Sequence, residues 1–103
     1  MKEKMNFCQM NKKGRINTYL YAESSKYNLD QLLIKNYIPA HIDREEIFNK
    51  NNGWRICTVE IPRKYHSIMT DEIFPELYEI NSNEDKSAYE EMCKVIGAIH
   101  DHF

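Results

Sequence analysis

The C-terminal end of the chain constrains its fold most. In residues 84–101, Ala88, Tyr89, Met92, Cys93, Ile96 and Ile99 recur at helical spacing. That places them on one face of an α-helix. Glu84, Glu90, Glu91, Lys94 and Asp101 line the outside. A helix patterned this way depends on a second apolar surface to cover its stripe. The chain has 103 residues, which suits one modest core and a single domain over 1–103. The remaining residues must therefore supply that surface.

Strand signals supply it. From Arg15 to Ala22, Ile16, Thr18, Leu20 and Ala22 alternate with Asn17, Tyr19, Tyr21 and Glu23, a period-2 pattern rich in β-formers. Residues 4–10 pair with it as a hairpin across a four-residue loop, Asn11 to Gly14. A third strand, Trp54 to Ile61, follows the turn Asn51-Asn52-Gly53 and stops at Pro62. Ile56 lies on one of its faces, and Cys57, Val59 and Ile61 on the other.

Helices fill the intervals. Asn28 caps a helix over 29–36, which Pro39 ends. Asp43 caps a second short helix over 44–50. After a polar loop, 63–67, a helical segment covers 71–79, and Pro75 makes it begin late or bend. Asn81-Ser82-Asn83 reads as a break. The order is β-β-α-α-β-α-α. The predicted class is α+β: a small three-stranded antiparallel sheet with helices on one face and a long amphipathic C-terminal helix. The expected core is Ile16, Leu20, Leu32, Leu33, Phe48, Ile56, Val59, Met92, Ile96 and Ile99.

Several classes of function find no support. No apolar run approaches the length of a transmembrane helix, and the N-terminus has no apolar segment of a signal peptide. A cytoplasmic protein without membrane contact is expected. Cys8, Cys57 and Cys93 form no C-x-x-C and read as free thiols in a reducing compartment. Cys57 and His66 are the nearest nucleophile and base in sequence, yet Cys57 sits among apolar neighbours that favour a buried thiol. His41, His66, His100 and His102 show no metal-ligand spacing. Gly14, Gly53 and Gly97 are isolated, so no phosphate-cradling loop forms; Gly97, inside the last helix, suggests close packing there. The acidic pairs Glu45/Glu46, Asp71/Glu72, Glu84/Asp85 and Glu90/Glu91 read as caps and solvent faces. No catalytic activity, metal or cofactor is expected.

Charge is the remaining signal. The net charge is -2, but residues 1–70 carry 12 Lys/Arg against 7 Asp/Glu, and residues 71–103 carry 2 against 9. The balance is thus +5 followed by -7. At the hairpin, Lys12, Lys13 and Arg15 lie near Tyr19 and Tyr21, a combination suited to phosphates and bases. Around the third strand, Trp54, Arg55, Arg63, Lys64 and Tyr65 are residue types that dominate protein interfaces. Glu84, Glu90 and Glu91 present an acidic face suited to a basic groove. The expected function is a non-catalytic protein-binding module acting by occupancy on a larger nucleic-acid-handling protein or ribonucleoprotein. Small size, bipolar charge and abundant Lys, Asn and Ile, whose codons are A/T-rich, suggest an inhibitor carried by a phage or mobile element, of the anti-CRISPR or other anti-defence type. The alternative is a small RNA- or DNA-binding regulator using the basic hairpin. The open edges of a three-stranded sheet also admit homodimerisation.

Overall fold

The computed structural model describes residues 7–24, 28–50 and 53–100. Four antiparallel strands form one sheet: β1 (Phe7–Lys13), β2 (Ile16–Ser24), β3 (His41–Lys50) and β4 (Trp54–Pro62), in the order β1-β2-β4-β3. Helix α1 (Asn28–Lys35) connects β2 to β3. After β4 the chain stays helical: a 3-10 turn (Arg63–Tyr65), a short α2 (His66–Ile68), a π turn (Met69–Ile73) and α3 (Phe74–Glu84). Helix α4 (Lys86–His100) closes the domain. The fold is α+β, with an antiparallel sheet and a long C-terminal helix. Among the described residues, no helix is long and apolar enough to cross a membrane.

The sheet has a fourth strand where a helix over 44–50 was expected. A seven-residue helix is marginal unaided, whereas pairing with β4 gives this segment a full ladder. Phe48 opposes Ile56, Asn49 opposes Arg55 and Lys50 opposes Trp54. The helix-favouring part of the segment is absorbed in a bulge. Between Asp43↔Thr58 and Phe48↔Ile56, residues 44–47 face Cys57 alone. The first hairpin is also tighter than expected. Lys13 pairs with Ile16, leaving a two-residue turn in which Gly14 takes φ 60, as such tight turns require. Lys12 and Lys13 thus belong to the strand, and residues 4–6 of the expected strand lie outside the described residues.

Helices cover both faces of the sheet, a correction to the expected single face. Tyr19, Tyr21, Cys57, Val59 and Ile61 pack with α1, the π turn and α3 through Leu29, Leu32, Leu33, Met69, Ile73, Phe74 and Leu77. On the other face, Leu20, Ala22, Trp54 and Ile56 pack with α4 through Ala88, Tyr89, Met92 and Ile96. The four consecutive residues Tyr19 to Ala22 are therefore each 0% exposed. Most of the expected core is present, but Ile16 is exposed, Ile99 is only partly buried and the Phe48 side chain lies outside the described residues.

Pro75 is accommodated in the first turn of α3. Just before it, the Phe74 N–H donates to the Met69 carbonyl, five residues back. This wider turn lets the helix run on into the proline without a break. The break falls at Asp85 instead of Asn81–Asn83. Asp85 is extended, with φ -161 and ψ 93, and its Oδ1 accepts from the Ala88 N–H at 3.1 Å, capping α4. Asn81 is an interior helical residue with no exposure.

Gly97 has no close neighbour: a Cβ there would meet nothing within 4 Å. The packing reason expected for this glycine is therefore absent. Gly97→Ala should stabilise the protein by about 0.5–1 kcal/mol, since alanine in a helix interior loses less backbone entropy. Thermal unfolding would show this as a rise of roughly 2–8 °C for a domain of this size.

Candidate functional site

Arg15 from one sequence-predicted set and Arg63 and Lys64 from the other meet at one end of the sheet. Strand β2 runs antiparallel to β4, so the start of β2 lies beside the end of β4, with Ile16 opposite Pro62. The β1–β2 turn and the 3-10 turn are tied directly: the Arg63 N–H donates to the Arg15 carbonyl at 2.7 Å. Between them opens a groove of about 590 Å³, lined by Gly14, Arg15, Pro39, Pro62, Arg63, Lys64 and Tyr65. Arg15, Arg63 and Lys64 are exposed and Tyr65 is half-buried. The Lys64 Nζ stands 5.4 Å from the centre of the Tyr65 ring. Three cations thus line the groove together with two prolines, a glycine and a tyrosine.

Behind the groove, a polar chain links Arg63 to His66. Arg63 Nε donates to Asn17 Oδ1 at 3.4 Å, which orients the Asn17 amide. Asn17 Nδ2 then donates to the Tyr19 hydroxyl at 3.1 Å. That hydroxyl lies 2.7 Å from His66 Nδ1, and the two rings are nearly parallel. With its oxygen accepting from Asn17, the Tyr19 hydroxyl has its proton available for His66. Burial raises the Tyr19 pKa, opposed by the Asn17 hydrogen bond. This chain holds the helical turn after β4 against the sheet, so it positions Arg63 and its neighbours.

The other sequence-predicted residues separate. Tyr19 and Tyr21 are fully buried, so neither ring faces a ligand. Trp54 is a core residue packed on Tyr89. Arg55 is half-buried, close enough to Glu23 for its charge to lower the Glu23 pKa. These four were predicted as surface contacts because strand alternation places residues on two faces without showing that both are covered. The side chains of Lys12 and Lys13 lie outside the described residues, though their backbones stand at the groove end of β1. Glu84 and Glu91 are exposed and Glu90 is half-buried. Glu84 closes α3 one turn after Asn81, which contacts Ser24 at the opposite end of β2 from the groove.

Cys57 and His66 are not brought together. The Cys57 thiol is buried and donates to Glu23 Oε2 at 4.0 Å, while His66 contacts Tyr19 and Asn17. Glu23 itself is fully buried and was not singled out in sequence. Its Oε2 accepts from Arg44 Nε at 2.8 Å, and Arg44 Nη2 reaches Asp30 at 3.0 Å. Burial raises the Glu23 pKa, and the Arg44 hydrogen bond and charge lower it. Sequence alternation places Glu23 on the Tyr19–Tyr21 face, but only the bulge in β3 brings Arg44 over it. Among the described residues, no group of three or more His, Cys, Asp or Glu gathers as a metal site. No protein-family model, curated protein or solved structure matches the chain.

Proposed function

We propose that this protein is a non-catalytic binding module that works by occupancy, with the basic groove taking the phosphate backbone of a nucleic acid, free or within a ribonucleoprotein. The observation that carries the reading is the convergence of Arg15, Arg63 and Lys64 on one groove. They come from two segments far apart in sequence, and the Arg63–Arg15 backbone hydrogen bond fixes those segments together. Clustered cations beside an aromatic ring suit phosphates and the nucleotides that carry them.

The salt dependence of binding tests this. Fluorescence anisotropy with labelled RNA and DNA should give affinities that fall linearly with salt on logarithmic axes. Arg15→Ala and Lys64→Ala should each flatten the slope by about 0.7–0.9, the contribution of one phosphate contact. Wild-type slopes in both variants would remove the groove from the binding surface.

The exposed Glu84 and Glu91 favour a second reading. In it, the acidic end docks on a basic surface of a larger nucleic-acid-handling protein, as an anti-CRISPR or other anti-defence inhibitor would. Absence of nucleic-acid binding at low salt would bring this reading forward. Charge reversal at Glu84, Glu90 and Glu91 would then test it, and unchanged partner affinity would exclude it.

A further inference from the structure

Resting on the nucleic-acid reading of the groove, we infer that its ligand is single-stranded, with one unstacked base seated among Pro39, Pro62 and Tyr65 and the flanking phosphates on Arg15 and Arg63. A groove for duplex backbone needs cations alone. This one sets two prolines, a tyrosine and the side-chain-free Gly14 beside its three cations. A duplex keeps its base faces stacked, whereas a single strand offers them to aromatic and apolar side chains. The Lys64 ammonium beside the Tyr65 ring is a surface contact. It can exchange to a phosphate as a base takes its place on the ring.

Anisotropy titrations with labelled oligothymidine, an abasic oligomer of the same length and a matched duplex test the inference. Oligothymidine should bind about tenfold more tightly than either of the others, the range expected for a stacked base. Tyr65→Leu keeps apolar bulk but loses the ring, and should lower oligothymidine affinity by about tenfold without changing the salt slope. Equal affinity for oligothymidine and the abasic oligomer would overturn the base-seating inference while leaving the phosphate reading intact. Equal or tighter duplex binding would do the same. Failure of all three probes to bind at low salt would overturn both.

Discussion

Arg44→Met should destabilise the protein by up to about 3 kcal/mol at pH 7, with the loss shrinking on acidification. Glu23 has no exposure, and its Oε2 takes the Arg44 Nε hydrogen bond at 2.8 Å. Removing one partner of a buried pair leaves the other charge without compensation, commonly at a cost of about 3–5 kcal/mol. Here the cost has a ceiling, because the carboxyl can take a proton instead. From its ordinary value of 4.5, carrying a proton at pH 7 costs about 3 kcal/mol. The pair with Asp30 adds little, since that side chain is 39% exposed and such contacts contribute under about 1 kcal/mol.

The sign follows from burial. Glu23 already has a raised pKa in the folded protein, and loss of Arg44 raises it further. The folded variant then holds a proton that the unfolded chain releases above 4.5. Stability is therefore fully present below that value and is lost as pH rises through the folded pKa. Wild type has the same sign over a narrower window, because Arg44 opposes the shift. Urea unfolding at several pH values would measure the difference between the two proteins. The double variant Glu23→Gln, Arg44→Met should lose the added pH dependence. A difference between Arg44→Met and wild type that stays flat from neutral to mildly acidic pH would mean that Arg44 does not set the protonation state of Glu23.

The elements legible in the sequence are those with strong local period. The α4 stripe, the alternation of β2 and the β4 segment after Gly53 each carry their own pattern, and each forms where expected. Segment 41–50 is different. Its Asp43 cap and paired glutamates satisfy helix rules, and only the ladder with β4 overrides them. That ladder is a tertiary fact. Both-face coverage was partly readable from β4, where Ile56 opposes Cys57, Val59 and Ile61. The tyrosines of β2 misled because a phenol on a strand suits a surface or a core equally. For the groove, the cations were visible as residue types, but their meeting depends on the β2–β4 register, which brings Ile16 to Pro62. No local pattern encodes that register.

Asn81 shows the same limit from the energetic side, and its replacement carries the other large expected effect. Read locally, Asn81-Ser82-Asn83 is a helix stop, because short polar side chains compete with the helical backbone. In the structure Asn81 is a fully buried junction between three elements. Its Oδ1 accepts from the Ser24 N–H at 3.4 Å, at the end of β2, and from Asn28 Nδ2 at 3.3 Å, at the start of α1. Its Nδ2 donates to the Leu77 carbonyl within α3 at 3.0 Å. Asn81→Leu keeps the volume but takes the shared acceptor from two buried donors. At about 1–3 kcal/mol for each donor, the expected loss is roughly 2–6 kcal/mol. Asn81→Asp keeps the acceptor and turns an oxygen toward the Leu77 carbonyl in place of the donor. It should be destabilised at neutral pH and recover on acidification, when a protonated carboxyl can donate to that carbonyl. Denaturant unfolding of both variants at neutral and acidic pH separates the two effects. Recovery of the aspartate variant alone identifies the junction as a hydrogen-bonded one. A leucine variant as stable as wild type would show that packing alone holds β2, α1 and α3 together.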